Sequence, residues 1–311
     1  VFMDGQTLLR EVRQLLNEPS GSSFLNDRMT YDFLYEAAVL TTIRTQAFRS
    51  EQSITTIASN RNYGLNPDFI ALYLMDDSNK RFIKYTASST DHFLYERSYD
   101  NIILQNNTTP VTIPYGFTIK DKSVQTQISS TATSTAATTN GECTLNDTTQ
   151  TFSSTCAVGD IVSNITDGST GIVLEVVSNI AIKVSLFDGT NNDWTVGDSY
   201  IINPQGRFEV VFDPPPTNSG DIITIYYIQR PNPVYASYRR YNFPIDYKAA
   251  LVHYAAWKYK YVDQEVNFGD KFYLYWDMTV RRLGANINNV LNRRGFKVNM
   301  IKRAGNSGTF R

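Results

Sequence analysis

The stretch VGDIVSNITDGSTGIVLEVVSNIAIKVSLFDGT, residues 158–190, consists of short apolar runs that are separated by turn residues. Asp-Gly pairs at 167–168 and 188–189 favour tight turns, because glycine adopts positive φ without strain and aspartate hydrogen-bonds to nearby backbone. Runs rich in Val and Ile between such turns predict antiparallel β-strands. A second Val-Gly-Asp triplet at 196–198 indicates a weak internal duplication. We therefore predict a small all-β domain in this part of the chain.

This β-domain interrupts a second β-rich part of the chain. Residues 130–140, STATSTAATTN, are nearly all Ser, Thr and Ala and are typical of a linker or an exposed loop. Short alternating runs lie on both sides, and DDSNK at 76–80 is typical of a hairpin turn. The simplest arrangement is a domain at 131–204 that is inserted into a β-region formed by 53–130 and 205–235. Insertion at an exposed loop is well tolerated in folded proteins.

Apolar residues recur at helical spacing near both ends of the chain. Asp4 and Asn26 are suitable N-caps for two N-terminal helices, since their side chains can accept hydrogen bonds from free backbone amides. Pro244 suits the first turn of a third helix. Gly269 and Asp270 are expected to interrupt or cap the helical pattern, and residues 272–291 are predicted to form a second long C-terminal helix.

These elements together predict an α+β fold. Helices at 1–52 and 236–295 form a helical bundle, and an antiparallel β-region lies between them and carries the small inserted all-β domain. The segment TDHFLYERSY at 90–99 predicts one further short helix. Residues 296–311 lack helical periodicity and are predicted to form a basic C-terminal arm.

The net charge of −1 hides a strong asymmetry along the chain. From Arg281 to Arg311 eight residues are Lys or Arg and none is Asp or Glu, so the first 280 residues carry 21 basic against 30 acidic side chains. Clustered cations suit phosphate binding, but an acidic body opposes steering of the whole molecule toward DNA. Apolar Phe296 and Met300 among the charges favour docking of the arm on a protein partner. A solvated, disordered end is the third interpretation.

Residues that carry catalysis or bind metals are scarce. His92 and His253 lie among aromatic or apolar residues, and no common catalytic or nucleotide-binding motif occurs, which predicts a non-enzymatic protein without cofactor or metal. Cys143 and Cys156 could pair across a hairpin or remain buried thiols. The turn aspartates of the inserted domain could bind calcium, but none lies in an EF-hand loop, and aspartate is common in turns.

The composition also indicates where the protein works. Its 20 tyrosines suit partly hydrated protein interfaces, and they suit an aromatic β-core equally well. No stretch approaches the roughly 20 apolar residues of a membrane span. The start VFMDGQTLLREV lacks the pattern of a signal peptide. We therefore expect no membrane partner and a protein that assembles inside a cell.

The order of parts resembles tailed-bacteriophage head-to-tail connector, or adaptor, proteins. The resemblance covers roughly residues 4–60 and 206–295. Its N-terminal half is carried by LLREVRQLLNEP and FLNDRMTYDFLYEAAVLTTIRT, and its C-terminal half by FPIDYKAALVHYAAWKYKYVDQE and GDKFYLYWDMTVRRLGANI. The most specific piece is the pattern of small and aromatic residues that follows Pro244, through 261. The inserted β-domain departs from the minimal adaptor plan.

The resemblance implies a structural virion protein in the neck or connector region, assembled in the host cytoplasm. Its partners would be copies of itself in a homo-oligomeric ring, commonly twelvefold, the portal protein, and a tail-nozzle or tail-tube protein. DNA would pass through the channel without sequence-specific binding. By position and charge, the portal-docking residues are Arg293, Arg294, Phe296, Lys297, Met300, Lys302, Arg303 and Arg311.

Two other classes of function fit the composition. In a carbohydrate-binding or adhesin-like tail or fibre component, the inserted β-domain would recognise a glycan. Trp194 and Tyr200 could then stack on a sugar ring, although a lone tryptophan after a turn is more often a core residue. A hydrolase with an unfamiliar site is the last alternative.

Overall fold

The structure, a computed structural model, describes residues 3–18, 26–73, 82–100, 102, 108–122, 126–263 and 266–291. Within these ranges the chain is mostly β, with fourteen strands in three antiparallel sheets and five α-helices. The helices are α1 (Gly5–Leu16), α2 (Asp27–Thr45), α3 (Phe152–Thr155), α4 (Lys248–Val262) and α5 (Val266–Leu291). No helix in the described ranges combines the length and hydrophobicity that a membrane span requires.

The strands divide into three sheets by their hydrogen bonding. The five-stranded sheet contains β1 (Arg49–Thr55), β3 (Phe69–Leu72), β4 (Phe82–Ala87), β5 (Thr90–Tyr95) and β14 (Ile222–Gln229). The three-stranded sheet contains β2 (Asn62–Gly64), β6 (Gly116–Asp121) and β13 (Phe208–Asp213). The six-stranded sheet contains β7 (Ile128–Thr131), β8 (Cys143–Asn146), β9 (Ile161–Asn164), β10 (Ser169–Ser178), β11 (Ala181–Phe187) and β12 (Ser199–Asn203).

The predicted α+β fold, with a helical bundle that frames a β-region, is wrong. The helices at the two ends of the chain do pack on one another, but they do not close a core of their own. Ile172 and Leu174 of β10 and the segment 234–243 complete the same hydrophobic cluster. The physical reason is that the buried residues of α4 lie around most of its circumference, so the other helices alone do not cover it, and the sheet and the segment before α4 complete the core.

The segment 90–99, predicted as a short helix, forms strand β5 and the residues after it. Residues of β5 alternate between two environments, with Leu94 in the core and Phe93 and Tyr95 exposed. This two-residue period matches the pleat of a strand. Pairing with β4, in which Lys84 lies opposite Phe93, overrides the weak helical signal of the sequence.

The five- and three-stranded sheets share one hydrophobic core. The first has the strand order β1-β14-β4-β5, with β3 also paired to β14, and the second has the order β2-β13-β6. Ile83 and Ile223 from the first sheet and Phe117 and Phe212 from the second are fully buried in the same cluster. The two sheets therefore behave as one β-unit.

The six-stranded sheet has the order β7-β12-β9-β10-β11-β8 and a core of its own. Its two outer strands meet, since the Thr133 amide, just after β7, donates a 2.8 Å hydrogen bond to Asn146 at the end of β8. Within the segment 130–140, Ser130 and Thr131 belong to β7 and the following residues form a hydrogen-bonded loop of this sheet, so the segment does not act as a free linker. The predicted turn at 76–80 lies outside the described residues.

The two Val-Gly-Asp triplets form the same turn. In each, the glycine has positive φ, 94° at Gly159 and 93° at Gly197. In each, the aspartate carboxylate accepts a hydrogen bond from the amide three residues earlier, at 2.8 Å for Asp160 and 2.7 Å for Asp198. These turns open β9 and β12, which are antiparallel neighbours. At both positions, therefore, the Val-Gly-Asp triplet forms the turn that precedes a strand.

Most helix ends lie where the local sequence predicts them. Asp4 and Asn26 cap α1 and α2 as predicted, by accepting hydrogen bonds from the amides of Thr7 and Met29. The predicted interruption at Gly269 is wrong, because α5 begins at Val266 and continues through it. A Cβ on Gly269 would lie 3.1 Å from that of Lys260, so glycine allows the close packing of α5 on α4.

Candidate interaction surfaces

The predicted portal-docking arm cannot be placed on the fold. Helix α5 ends at Leu291, and the arm follows it in sequence. All eight residues predicted for docking lie outside the described residues: Arg293, Arg294, Phe296, Lys297, Met300, Lys302, Arg303 and Arg311.

Aromatic side chains pack between α4 and α5 and hold the two helices together. The rings of Trp257 and Tyr273 lie 4.9 Å apart, and those of Tyr254 and Trp276 lie 5.0 Å apart. The Trp276 indole also donates a 3.3 Å hydrogen bond to the Thr41 hydroxyl on α2. The small residues expected to permit close helix packing do so within the chain at Ala250, Ala255 and Ala256, whereas Ala249 is exposed.

The six-stranded sheet is joined to α2 by charged and polar contacts. Arg28 forms a 2.7 Å ion pair with Asp188 and also donates to the Thr170 hydroxyl. On the next turn of α2, Asp32 accepts a 2.7 Å hydrogen bond from Tyr235. Burial raises the pKa of Asp32, against the opposing effects of Tyr235 and Arg28. The sheet therefore has a defined orientation on the helices.

A second set of contacts joins the same sheet to the segment before α4. Arg239 donates to both carboxylate oxygens of Glu142, at 2.6 and 3.0 Å, and to Glu175 at 2.9 Å. The Ser185 hydroxyl on β11 lies 2.9 Å from the Tyr235 carbonyl, to which it donates. A forked Arg–carboxylate pair fixes distance and angle together.

A third joint lies where the chain leaves the six-stranded sheet. Asp160 is fully buried, and its carboxylate accepts hydrogen bonds of 2.9 and 2.8 Å from the Arg207 guanidinium. The Gln205 amide donates to the same carboxylate at 2.9 Å. The inserted sheet is therefore held both on the helical side and where the chain leaves it, a property that the sequence did not reveal.

The turn aspartates considered for calcium binding are engaged in structural contacts. Within the described ranges, no group of three or more His, Cys, Asp or Glu side chains is arranged to hold a metal ion. The turn aspartates bind protein groups instead: Asp160 binds Arg207, Asp167 and Asp198 accept from Asn164, Asp188 binds Arg28, and Asp193 accepts from the Thr138 amide.

The two cysteines are buried free thiols in the core of the six-stranded sheet. Burial raises the pKa of Cys143 and that of Cys156 to about 12. The thiolate is the reactive form of cysteine, so both side chains act as small apolar core groups at neutral pH.

Trp194 and Tyr200, considered as a stacking platform for a sugar, are core residues. Both are buried almost completely, and their rings form an edge-to-face contact with centroids 5.9 Å apart. Neither ring face is open to a ligand. A glycan site on this sheet would require other residues.

The outward side of α5 is a large exposed apolar surface. Leu274, Tyr275 and Met278 are 59%, 56% and 66% exposed. They are neighbours on the helix, since residues three and four apart lie on one face. Cations surround them on the same side of the helix, and the α5 face comprises Lys271, Leu274, Tyr275, Met278, Arg281 and Arg282, all exposed.

A second exposed surface lies along β5 and the residues that follow it. Phe93 and Tyr95 point outward from the five-stranded sheet and are about half exposed. The β5 edge comprises three aromatic and three acidic exposed residues: Asp91, Phe93, Tyr95, Glu96, Tyr99 and Asp100. Beside Tyr99 lies a cleft of about 600 Å³ whose walls include Ile119 and Phe208.

The chain matches no protein-family profile and no curated protein.

Sequence reasoning missed both surfaces. The signal for the α5 face was present, because Leu274 and Met278 are offset from the buried stripe of Phe272, Trp276 and Val280. For the β5 edge no such signal existed while the segment was predicted to be helical.

Proposed function

We propose that the chain is a non-enzymatic structural subunit of a tailed-phage head-to-tail adaptor and assembles into a ring with copies of itself. The observation that carries the proposal is the α5 face, where three large apolar side chains are exposed side by side on a rigid helix pair. Contiguous apolar surface on a folded domain marks an interaction site. The resemblance of residues 4–60 and 206–295 to adaptor proteins supports this type of assembly over other oligomers.

In this proposal the ring docks onto the portal and links it to the tail, with DNA passing through its channel. The C-terminal arm would reach the portal, since the basic residues at 293–311 are interleaved with apolar ones such as Phe296 and Met300. The acidic balance of the first 280 residues, 21 basic against 30 acidic side chains, suits a channel wall that does not retain DNA.

Native mass spectrometry over a concentration series tests the assembly, with the full chain alone and mixed with the portal ring of the same virion. We expect a closed ring, formed either alone or on the portal. A chain that stays monomeric at every concentration and never joins the portal would overturn the proposal.

The arm is tested separately by ending the chain after Leu291. We expect the truncated chain to keep its thermal unfolding midpoint but to lose portal binding. Replacing Phe296 and Met300 with Ala should weaken docking in the full chain, with Ser307→Ala as the matched control within the arm. Unchanged docking of the truncated chain would refute the arm's role.

A further inference from the structure

We propose that the outer edge of strand β1 is a docking site for the C-terminal arm, and that residues 296–301 of the same chain add a strand there. This contact goes beyond the proposed function, which gives the arm a partner only on the portal. It has two components, an open sheet edge in the described structure and a strand-like pattern in the arm.

Strand β1 lies at the end of the five-stranded sheet and pairs on one side only, with β14. The Gln229 amide donates a 3.0 Å hydrogen bond to the Phe48 carbonyl just before β1. Just after β1, the Thr56 amide donates to the Asp221 carbonyl at 2.8 Å. In an antiparallel pair, every second residue exchanges its backbone hydrogen bonds with the partner strand. The even-numbered residues of β1 therefore direct their backbone groups toward β14.

The odd-numbered residues of β1 direct their backbone amides and carbonyls away from the sheet. These residues are Arg49, Glu51, Ser53 and Thr55, and all four are exposed. Within the described part of the chain, none of their backbone groups has a hydrogen-bonding partner. The pairing of β1 with β14 is continuous, and β1 contains no proline. The edge is therefore a regular template for one more strand.

The core of the β-unit is incompletely covered at this edge. On β14, Ile223 and Ile225 are fully buried, whereas their partners on β1, Ile54 and Gln52, are only partly buried. A further strand that carried apolar side chains on this face would cover them. Such a strand would gain side-chain contacts in addition to the backbone hydrogen bonds of the edge.

The arm has the pattern that this edge requires. In FKVNMI, residues 296–301, the apolar side chains of Phe296, Val298 and Met300 alternate with Lys297 and Asn299. A period of two places the three apolar side chains on one face of a strand and the polar ones on the other. On the β1 edge, the apolar face would continue the core, and the polar face would lie on the exposed side of the sheet.

Charge favours the same arrangement. Glu51 is at the middle of the exposed side of β1, and within the described residues it forms no ion pair. Arg49 is engaged elsewhere, since its guanidinium lies 3.9 Å from the centre of the Tyr73 ring. Lys297 of the added strand would lie beside Glu51, and opposite charges on neighbouring strands stabilise their pairing.

Helix α5 brings the arm to the β1 edge of its own chain. A Cβ on Gly284 would lie 3.8 Å from the Arg44 carbonyl oxygen, five residues before β1 begins. Beyond Gly284, α5 rises by only about 10 Å to its end at Leu291. The five residues from Leu291 to Phe296 span up to about 17 Å when they are extended. The arm is therefore long enough to return to β1, and no second copy is needed.

In the proposed assembly, the β1 edge would hold the arm until the portal binds it. This step rests on the proposed function, because Phe296 and Met300 serve both contacts. In the free subunit the docked arm covers the open edge, and open edges are common sites of aggregation.

Hydrogen exchange of single β1 amides, measured by NMR on the dilute chain, tests the docking site. We expect the outward amides of Glu51 and Ser53 to exchange at least about 10-fold more slowly in the full chain than in a chain that ends after Leu291. The amides of Ser50 and Gln52 face β14 and are the internal control, with equal rates in both chains. Equal rates for Glu51 and Ser53 as well would overturn the inference. A tenfold protection corresponds to about 1.4 kcal/mol, so the truncation should move the thermal midpoint by no more than a few degrees.

Substitutions test the apolar and the charged contacts, with the exchange of the Ser53 amide as the readout. Val298→Asp should abolish the protection, because it places a charge on the apolar face of the added strand. Asn306→Asp is the matched control, since it introduces the same residue beyond 296–301. Glu51→Lys and Lys297→Glu should each reduce the protection, and the two together should restore most of it. Full protection in Val298→Asp would contradict the assigned segment.

A disulfide identifies the chain that supplies the arm. With Glu51→Cys and Lys297→Cys, mild oxidation of the dilute chain should link the two positions within one chain, as peptide mapping without reduction would show. Glu51→Cys with Asn306→Cys is the control and should form this link much less. Links between different chains at the same dilution would overturn the assignment of the arm to its own edge.

Addition of the portal ring distinguishes this inference from the proposed function. Portal binding should return the β1 edge to fast exchange, as mass spectrometry of the β1 peptide would detect, and an edge that stays protected would overturn the release of the arm. A chain that joins the portal but never protects Glu51 and Ser53 would refute the docking site and leave the adaptor proposal standing. A chain that protects these amides but never joins the portal would refute the adaptor proposal and leave the docking site standing.

Discussion

The Tyr200 hydroxyl donates a 2.7 Å hydrogen bond to the Asp147 carboxylate inside the six-stranded sheet. Asp147 has no exposed surface, and it also accepts from Ser130 at 2.5 Å and from the Thr149 hydroxyl at 2.6 Å. These bonds join β7 and β12 to the residues that follow β8. The sheet thus closes around a buried, fully hydrogen-bonded carboxylate.

This carboxylate should make the six-stranded sheet sensitive to acid. Burial raises the pKa of Asp147, but the hydrogen bonds from Ser130, Thr149 and Tyr200 outweigh it and hold the pKa below its ordinary value of 3.8. A carboxyl whose folded pKa is lowered stabilises the fold above its unfolded pKa, and this contribution is lost as pH falls through the folded pKa. We expect denaturant midpoints to be constant from pH 7 to about 5 and to fall below about pH 4.

The variant Asp147→Asn isolates this effect. Loss of charged hydrogen bonds in a buried site should cost about 2–3 kcal/mol at pH 7 and flatten the acid dependence. Tyr200→Phe removes a single donor and should cost about 1–2 kcal/mol. An Asp147→Asn chain with the same acid profile as the wild type would assign the pH response to other carboxylates.

The Arg239 joint should set how firmly the six-stranded sheet is held on the helices. The hydrogen bond from Arg239 is the largest cause that lowers the pKa of Glu175, and the bond to Glu142 likewise raises that of Arg239. We expect Arg239→Ala to cost about 1–2 kcal/mol, since the pairs are partly screened by solvent. Hydrogen exchange of the backbone at 231–241 should rise.

Lys183→Ala provides the comparison for this joint. Lys183 also contacts Glu175, at 3.4 Å, but its side chain is more exposed and it does not connect the sheet to another element. Its loss should leave hydrogen exchange at 231–241 unchanged. If Arg239→Ala and Lys183→Ala raised hydrogen exchange at 231–241 equally, the contacts of Arg239 would act only through the local charge around Glu175.

Some of the fold follows from local sequence and some depends on contacts distant in sequence. Asp4 and Asn26 were predictable as caps because a cap needs only the amides of its own helix. The sharing of the helical core with Ile172 and Leu174 was not, because nothing near α2 in sequence specifies a partner more than a hundred residues away. The ion pair between Arg28 and Asp188 also joins residues that are distant in sequence, so local sequence did not predict it.

The candidate surfaces illustrate the same limit. Helical spacing could place Leu274 and Met278 together on one side of α5, but their exposure depends on which side the core covers. For Phe93 and Tyr95, local sequence favoured a helix, and only pairing with β4 established the alternation that exposes both rings. Local sequence thus gives the composition of a surface, but contacts between distant parts of the chain decide whether that surface is exposed.

Gly171 should be irreplaceable in β10. A Cβ at this position would lie 1.7 Å from the Ser185 carbonyl oxygen on β11, a backbone atom that cannot move away without breaking the strand pair. We expect Gly171→Ala to cost about 3 kcal/mol or more through strain and loss of pairing. Gly206→Ala is the control, because no atom lies within 4 Å of its added Cβ. Similar urea midpoints for the two variants would contradict the close approach of β10 and β11.

The two native thiols should resist modification until the six-stranded sheet unfolds. Burial raises the pKa of Cys143 and Cys156 to about 12, so the reactive thiolate is scarce at pH 8, and both residues are buried. We expect a colourimetric thiol reagent to label the native chain at least about 100-fold more slowly than the chain in urea, with both thiols appearing together because they share one core.

Met278→Cys supplies an exposed thiol that should react at once in the native monomer and more slowly when the ring covers the α5 face. Rapid native labelling of Cys143 or Cys156 alone would show that the core of the six-stranded sheet opens locally.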